Sequence, residues 1–264
     1  MERSIWIGLG IGVLLVAGGA YYLNQQKQLQ QAALPAPLAA PAVSSAPPPD
    51  HYPLAEPQAV SSETPLPGLN DSDGPFRDAL AKALGLGPVS QFLLPNNLIR
   101  RIVATVDALD GPSVPAKVRP LTPIGGAFLV DGSGDGSVIS SANAARYRPL
   151  VNAVANVDAA AATGVYIRFY PLFQQAYEEL GYPGRYFNDR VIHVIDHLRA
   201  APSPDAPVRV VQPEVLYLFA DPALEARSGG QKVLARIGTE NAEVIKNKLG
   251  EIRAAIVSRT ARKG

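Results

Sequence analysis

GVYIRFYPLFQQAYEELGYPGRYFNDRVIHVIDHLRA, residues 164–200, decides the fold. Tyr166, Phe169, Tyr170, Phe173, Tyr177 and Leu180 recur at three- and four-residue steps, which lines them along one face of a helix. Asp158 opens that helix, and it runs to Leu180 with Gly181 behind it as a stop. Pro171 cannot donate to the carbonyl of Ile167, so a kink or restart is expected there. A second helix over 185–200 turns Phe187, Val191, Val194, Ile195 and Leu198 inward. An aromatic stripe of this kind reads as core packing rather than as a stacking platform for sugars or bases. Several helices with such faces point to one cooperative core.

Working outward, residues 143–157 read as one more helix. Downstream, VRVVQPEVLYLF (208–219) alternates and branches as a strand does, with a buried helical run as the alternative. Ser228 and Gln231 have the spacing of a capping box for QKVLARI, which stops at Gly238. Thr239 caps a last helix with Ile245, Leu249, Ile252 and Ile256 as its apolar stripe. Upstream, GAFLV and SVIS flank DGSGDG as a small β-hairpin. Ser72 with Pro75 starts a helix that ends at Gly85, a short helix follows near Val89–Leu93, and Asn96 or Asn97 opens NLIRRIVATVDAL.

The chemistry-bearing residues are sparse. The chain has no cysteine, which excludes disulfides, thiolate zinc sites and cysteine nucleophiles. Its net charge of +1 carries no field that would recruit nucleic acid. The turn Asp131–Gly136 resembles the opening of a calcium loop, but the twelfth position is Ala142 and the flanks are strands, so it reads as a glycine-rich hairpin tip. Glu178 and Glu179 diverge by about 100° around a helix, which is not a glycosidase pair. Asp189, His193 and His197 fall at i, i+4 and i+8 with Asp196 beside them. That spacing suits a metal, yet HVIDH lacks the zincin glutamate, and a solvated face of Asp–His pairs is the plainer reading. No catalytic residue, metal or cofactor is assigned. From Arg227 onward nine Lys or Arg stand against three Glu, spaced around an amphipathic helix.

The N-terminal part has another character. Ile5–Leu23 holds no charge over nineteen positions, and as a helix it would rise about 28 Å, close to a bilayer core. Trp6 and Tyr21–Tyr22 stand at its ends, where amphipathic rings prefer the headgroups. Residues 1–4 are then a short cytoplasmic end and 5–23 a transmembrane anchor or uncleaved signal. A signal peptide cleaved after Ala20 and a buried soluble helix are the alternatives. Gly8 and Gly12 form a GxxxG pair that would allow a homodimer, though five glycines make the match common by chance. From 24 to 71, ten prolines lie among Ala, Ser and Gln, a composition that cannot bury enough surface to order itself. The expected architecture is mainly α: one helical globular domain over 72–264 with a small β-hairpin, preceded by one transmembrane helix and a disordered proline-rich linker.

The phrases ANAARY (142–147), GVYIRFYPLFQQAYEELGYP (164–183), RYFNDR (185–190), VIDHL (194–198), VQPEVLYLFADPALE (211–225) and GQKVLARIG (230–238), in this order, resemble the proteobacterial family known as domain of unknown function 3014. The resemblance covers roughly the last two thirds of the chain. It implies an N-terminal anchor, a variable proline-rich stretch and one folded unit, and it brings no activity. His193 is not part of the family pattern. Arg146, Arg168, Gln174, Asn188, Asp189, Asp196, His197 and Gln212 are the polar positions inside the matched phrases and form the candidate binding face. The expected function is an inner-membrane-anchored module with its C-terminal domain in the periplasm, acting as an interaction or scaffold protein for another envelope protein or the cell wall. The alternatives are a periplasmic hydrolase using Asp189, Asp196 and His197, and anionic-polymer binding by the basic C-terminal helix.

Overall fold

The computed structural model describes residues 51–54, 65–204 and 207–260. The anchor over 5–23 and most of the proline-rich linker lie outside the described residues. Within them the chain is mainly helical. Nine α-helices are α1 Asp73–Leu84, α2 Leu86–Phe92, α3 Leu98–Ala108, α4 Ala142–Ala155, α5 Ala159–Glu179, α6 Phe187–Arg199, α7 Pro222–Glu225, α8 Gly229–Arg236 and α9 Thr239–Val257. Two small hairpins, β1 Val130–Asp131 with β2 Val138–Ile139 and β3 Val210–Val211 with β4 Leu218–Phe219, interrupt the helices. No single helix among the described residues is long and apolar enough to cross a membrane.

The central helix is α5. Asp158 accepts from the amide of Ala161 at 2.8 Å, as its capping position requires, and Gly181 takes φ 115° just beyond the end. The helix stays a single element across Pro171, whose ring is on the exposed side, where water can reach the carbonyl that proline leaves without a donor. Phe169, Phe173 and Tyr177 are buried as the stripe predicts. Phe76 of α1 meets Phe169 and Phe173 edge-on at 5.1 and 5.6 Å, and Phe187 of α6 stacks on Phe173 at 5.7 Å. Leu98, Ile99 and Val103 of α3 complete this core. Leu180 departs from the stripe and stays 44% exposed, because the chain turns away at Gly181 before any helix covers it. A second cluster joins Val194 and Leu198 of α6 to Leu234, Ile237 and Ala242, and a third joins Val210 and Phe219 to Leu224 and Ala235.

The hairpin expected around DGSGDG forms, with Val130 opposite Ile139 and Asp131 opposite Val138. Gly132 sits at φ 84°, where a Cβ would come within 2.9 Å of the Gly136 carbonyl, so the turn needs glycine there. Residues 208–219 are not one strand. Pro213 cannot donate to a ladder, and the chain reverses to pair Val210 with Phe219 and Val211 with Leu218. A bridge between Val138 and Arg209 joins the two hairpins.

Three expected side-chain caps do not form, and one of them is replaced from a distant residue. The Ser72 hydroxyl donates to the Leu69 carbonyl at 2.8 Å instead of capping α1. Asn97 does not cap α3 with its own side chain. The Asp73 carboxylate does so from α1, accepting from the amides of Asn97 and Leu98 at 2.6 and 2.8 Å. Thr239 is the first residue of α9, and Gly238 at φ 92° occupies the cap. Ser228 caps α8 as read, accepting from Gln231 N–H at 3.2 Å. The reciprocal half of the box is absent, since Gln231 Nε2 donates to the His197 carbonyl at 2.9 Å.

At the start of α8 the amides of Gly229 and Gly230 donate to the carbonyls of Gly111 and Leu109 at 2.7 and 2.9 Å. A Cβ on Gly230 would stand 2.6 Å from Leu198 Cδ2 and 2.7 Å from the Leu109 carbonyl. Gly230→Ala is therefore expected to cost about 1–3 kcal/mol in urea unfolding, as overpacking does. Gly164 lies inside α5 with nothing near its absent Cβ. Gly164→Ala should stabilise by about 0.4–1 kcal/mol through the unfolded chain. Equal stability of the two variants would show that α8 does not seat on α3 in this way.

Candidate functional site

Residues on α6 hold most of the polar chemistry, and they turn to several different neighbours. Phe187, Val194, Ile195 and Leu198 are buried, so the remaining positions present Asn188, Asp189, Arg190, His193, Asp196 and His197 to what surrounds the helix. Gln174 of α5 prepares its start. Its carbonyl oxygen accepts from the amide of Phe187 at 2.9 Å and the hydroxyl of Tyr170 at 3.1 Å, and its amide donates to the Arg185 carbonyl at 2.7 Å.

Asn188 and Asp189 grip a piece of the stretch read as linker. Asp189 Oδ1 accepts from the backbone amide of Tyr52, and Asn188 Nδ2 donates to the carbonyl of the same residue, both at 2.8 Å. Asp189 Oδ2 bonds His51 Nδ1 at 2.8 Å, and the His51 ring leans on Tyr186 with centroids 4.4 Å apart. Leu54 bridges antiparallel to Thr260 beyond α9. Residues 51–54 thus lie in extended form across the start of α6 and the end of α9. Asn188, 1% exposed, is itself oriented by Tyr166, whose hydroxyl donates to its Oδ1 at 3.1 Å. Burial, then the neighbouring Tyr170 and Asp189, push the Tyr166 phenol well above its ordinary range, so it remains a donor. Burial also pushes the Tyr170 phenol up to about 12, against the bond it takes from the Asn188 backbone.

Arg190, one residue on, is the hub of an ion cluster that the spacing did not reveal. Its guanidinium forks onto Asp110 with two 2.6 Å bonds, reaches Asp107 Oδ1 at 3.1 Å and donates to the Asp107 carbonyl at 2.6 Å. Tyr182 donates to Asp107 Oδ2 at 3.1 Å, and His193 Nε2 lies 3.3 Å from Asp110. Burial raises the Asp110 carboxyl, but the bonds and charge of Arg190, with His193, outweigh it and hold the group below the ordinary carboxylate range. The cluster ties the end of α3 to α6.

The structure does not bring Asp189, Asp196 and His197 together. Asp196 takes a bidentate contact from Arg253 of α9 at 2.6 and 2.9 Å, while His197 Nε2 bonds Ser228 Oγ at 2.8 Å. Asp189, His193 and His197 likewise face three different partners, and no group of three metal-ligating side chains occurs among the described residues. The other candidates lie elsewhere. Arg146 donates to the Ala127 carbonyl and, at 3.0 Å, to Asn143, which itself holds Leu129 and fixes the first hairpin. Arg168 lies over the Phe169 ring at 5.6 Å. Gln212 donates to the Val215 carbonyl at 3.1 Å inside the second hairpin turn, whose tip leaves Val215 and Leu216 83% and 74% exposed. The partners that make Asn188 and Asp189 a site, His51 and Tyr52, were hidden by the proline-rich composition around them. Their aromatic rings next to Pro53 were the available signal.

A family model described as "Protein of unknown function (DUF3014)" matches residues 98–253. No curated protein and no solved structure matches the chain. The matched stretch contains all eight candidate residues and starts after the docked segment His51–Leu54.

Asp189→Ala is expected to remove the hydrogen-exchange protection of the Tyr52 amide while changing global stability by less than about 1 kcal/mol. Protection that survives the substitution would assign the docking to other contacts. Asp110 makes a second expectation with a definite sign. Its folded pKa lies below its unfolded value of about 3.9, so its stabilisation is present above that pH and is lost as pH falls through the folded value. Acid titration of Asp110→Asn should show a shallower loss of stability below about pH 4. An unchanged acid limb would remove Asp110 from the account.

Proposed function

The chain belongs to the family described as Protein of unknown function (DUF3014), and on that premise we propose that it is a non-enzymatic interaction module of the cell envelope. Residues 5–23 anchor it in the inner membrane in a single pass, the proline-rich stretch spaces the domain from the bilayer, and the domain faces the periplasm. There it engages another envelope protein or the cell wall.

One observation carries the reading. Asn188 and Asp189 bind both backbone groups of Tyr52, the N–H and the C=O, each at 2.8 Å. Capture of an extended segment through its main chain, with a side chain read separately, is the chemistry of peptide recognition. Here His51 supplies that side chain, between Asp189 and Tyr186. The recognised segment is the chain's own, so the domain grips the spacer that leads to the apolar stretch. The exposed tip at Val215 and Leu216 adds an apolar contact point of the kind that marks association surfaces.

In-cell crosslinking of the tagged full-length protein, followed by mass spectrometry, tests the proposal. A matched form lacking residues 1–23 and exported by a cleavable signal is the control. The expected result is a specific envelope partner recovered with the full-length chain and reduced with the released form. Recovery of no specific partner from either would sink the proposal.

A further inference from the structure

We propose that the cleft between α3, the 116–118 turn and the end of α5 docks an acidic segment of a partner protein, with an apolar side chain seated on the cleft floor. The cleft opens to solvent with a volume of about 370 Å³, at the small end of the range for specific binding pockets. Buried Val103 and Ala176 lie among its apolar lining residues, together with Ala104, Val118 and the half-exposed Leu180. Arg100, Arg101 and Lys117 supply its cations.

The charge there is unbalanced and held in place. Arg100 is neutralised by Glu179 at 2.9 Å. Among the described residues, Arg101 donates only to backbone carbonyls, those of Asn96, Lys117 and Arg119, and Arg119 donates only to the carbonyl of Val114. Lys117 Nζ makes no bond or ion pair among the described residues. Two of the cleft's three cations, Arg101 and Lys117, therefore stand without a carboxylate in the same set, with Arg119 a further one outside the lining. The sequence gives the reason, since neither 84–106 nor 111–130 contains an Asp or Glu. A chain that is nearly neutral overall thus concentrates positive charge at one concave, partly apolar place, where low-dielectric walls focus the field. Thr105 pins the turn by donating to the Val118 carbonyl at 2.8 Å. The guanidinium of Arg101 is likewise fixed in advance, so less freedom is lost when a ligand arrives.

The lining selects the ligand class. An inorganic anion would leave the accessible apolar lining of Ala104, Val118 and Leu180 unused. A nucleic acid needs an extended basic track, and Glu179 interrupts this one. A carboxylate next to an apolar side chain, within an extended or helical peptide, satisfies both the floor and the rim. Neither Asn188 nor Asp189 takes part, so this surface can fail while the tethered reading stands, and the reverse.

The full-length chain in non-ionic detergent, titrated with a labelled peptide of alternating leucine and glutamate, tests the proposal. Binding should weaken as ionic strength rises and vanish when glutamine replaces glutamate in the peptide. Lys117→Gln should weaken binding by about threefold and Lys117→Glu by about tenfold, as for charges at an interface. The Lys117 side chain holds nothing else among the described residues, so both variants should melt like the parent. A chain that does not bind the peptide, or binds it equally well with Lys117→Glu, overturns the proposal.

Discussion

Each helix leaves four N–H groups at its start and four C=O groups at its end without partners inside the helix. The nine mostly short α-helices among the described residues meet that constraint many times over, and burying an unpaired backbone group costs about as much as losing a hydrogen bond. Here much of the solution comes from other elements. Asp73 caps α3 from α1, Gln174 serves the first amide of α6, and the glycines at the start of α8 donate to the end of α3. Past the end of α4, Lys248 donates to the Val157 carbonyl at 2.8 Å, and Asn241 ties α9 to the first turn of α4 by donating to the Ala144 carbonyl at 2.9 Å. These bonds fix how each helix enters the core. The apolar clusters then supply the non-directional part of the stabilisation, strongest where Phe76, Phe173 and Phe187 meet.

That arrangement explains what the sequence could and could not disclose. The α5 and α6 helices, their buried faces and the glycine stop of α5 follow from spacing within a few residues, and the structure agrees in kind. Asp158 and Ser228 cap locally and were legible for the same reason. Asp73 stands 24 residues from its first acceptor contact at Asn97, and periodicity carries no information at that separation. Asn97 does stand at the start of α3, as the local signal suggests, but its side chain makes no capping bond there. The 208–219 stretch misled differently. Its alternation was real, but Pro213 divides one apparent strand into the two arms of a hairpin.

The candidate residues fall under the same logic. The family phrases pick out polar positions, and nearly all of them hold the fold together. Gln174 sets the start of α6, Asp196 and His197 bind α6 to α9 and α8, and Arg146 holds the first hairpin. Asn188 and Asp189 differ because their partner is a segment more than a hundred residues away, inside a composition that favours disorder. Arg190 sits in the same phrase, but an arginine beside an aspartate reads as a surface pair until Asp107 of α3 and Asp110 just beyond it meet the guanidinium.

The docked segment is the part of the domain whose stability is most nearly balanced. Ordering four residues costs about 1–2 kcal/mol each, so roughly 4–8 in total. Three hydrogen bonds return about 1 kcal/mol apiece, more where the Asp189 carboxylate accepts, and the His51–Tyr186 contact adds about 0.5–1.5. The two sums nearly cancel, which makes this the segment expected to open before the core does. If the anchor proposed above holds, tension on the chain ahead of His51 would reach α6 through the side chains of Asn188 and Asp189 before it reached the core.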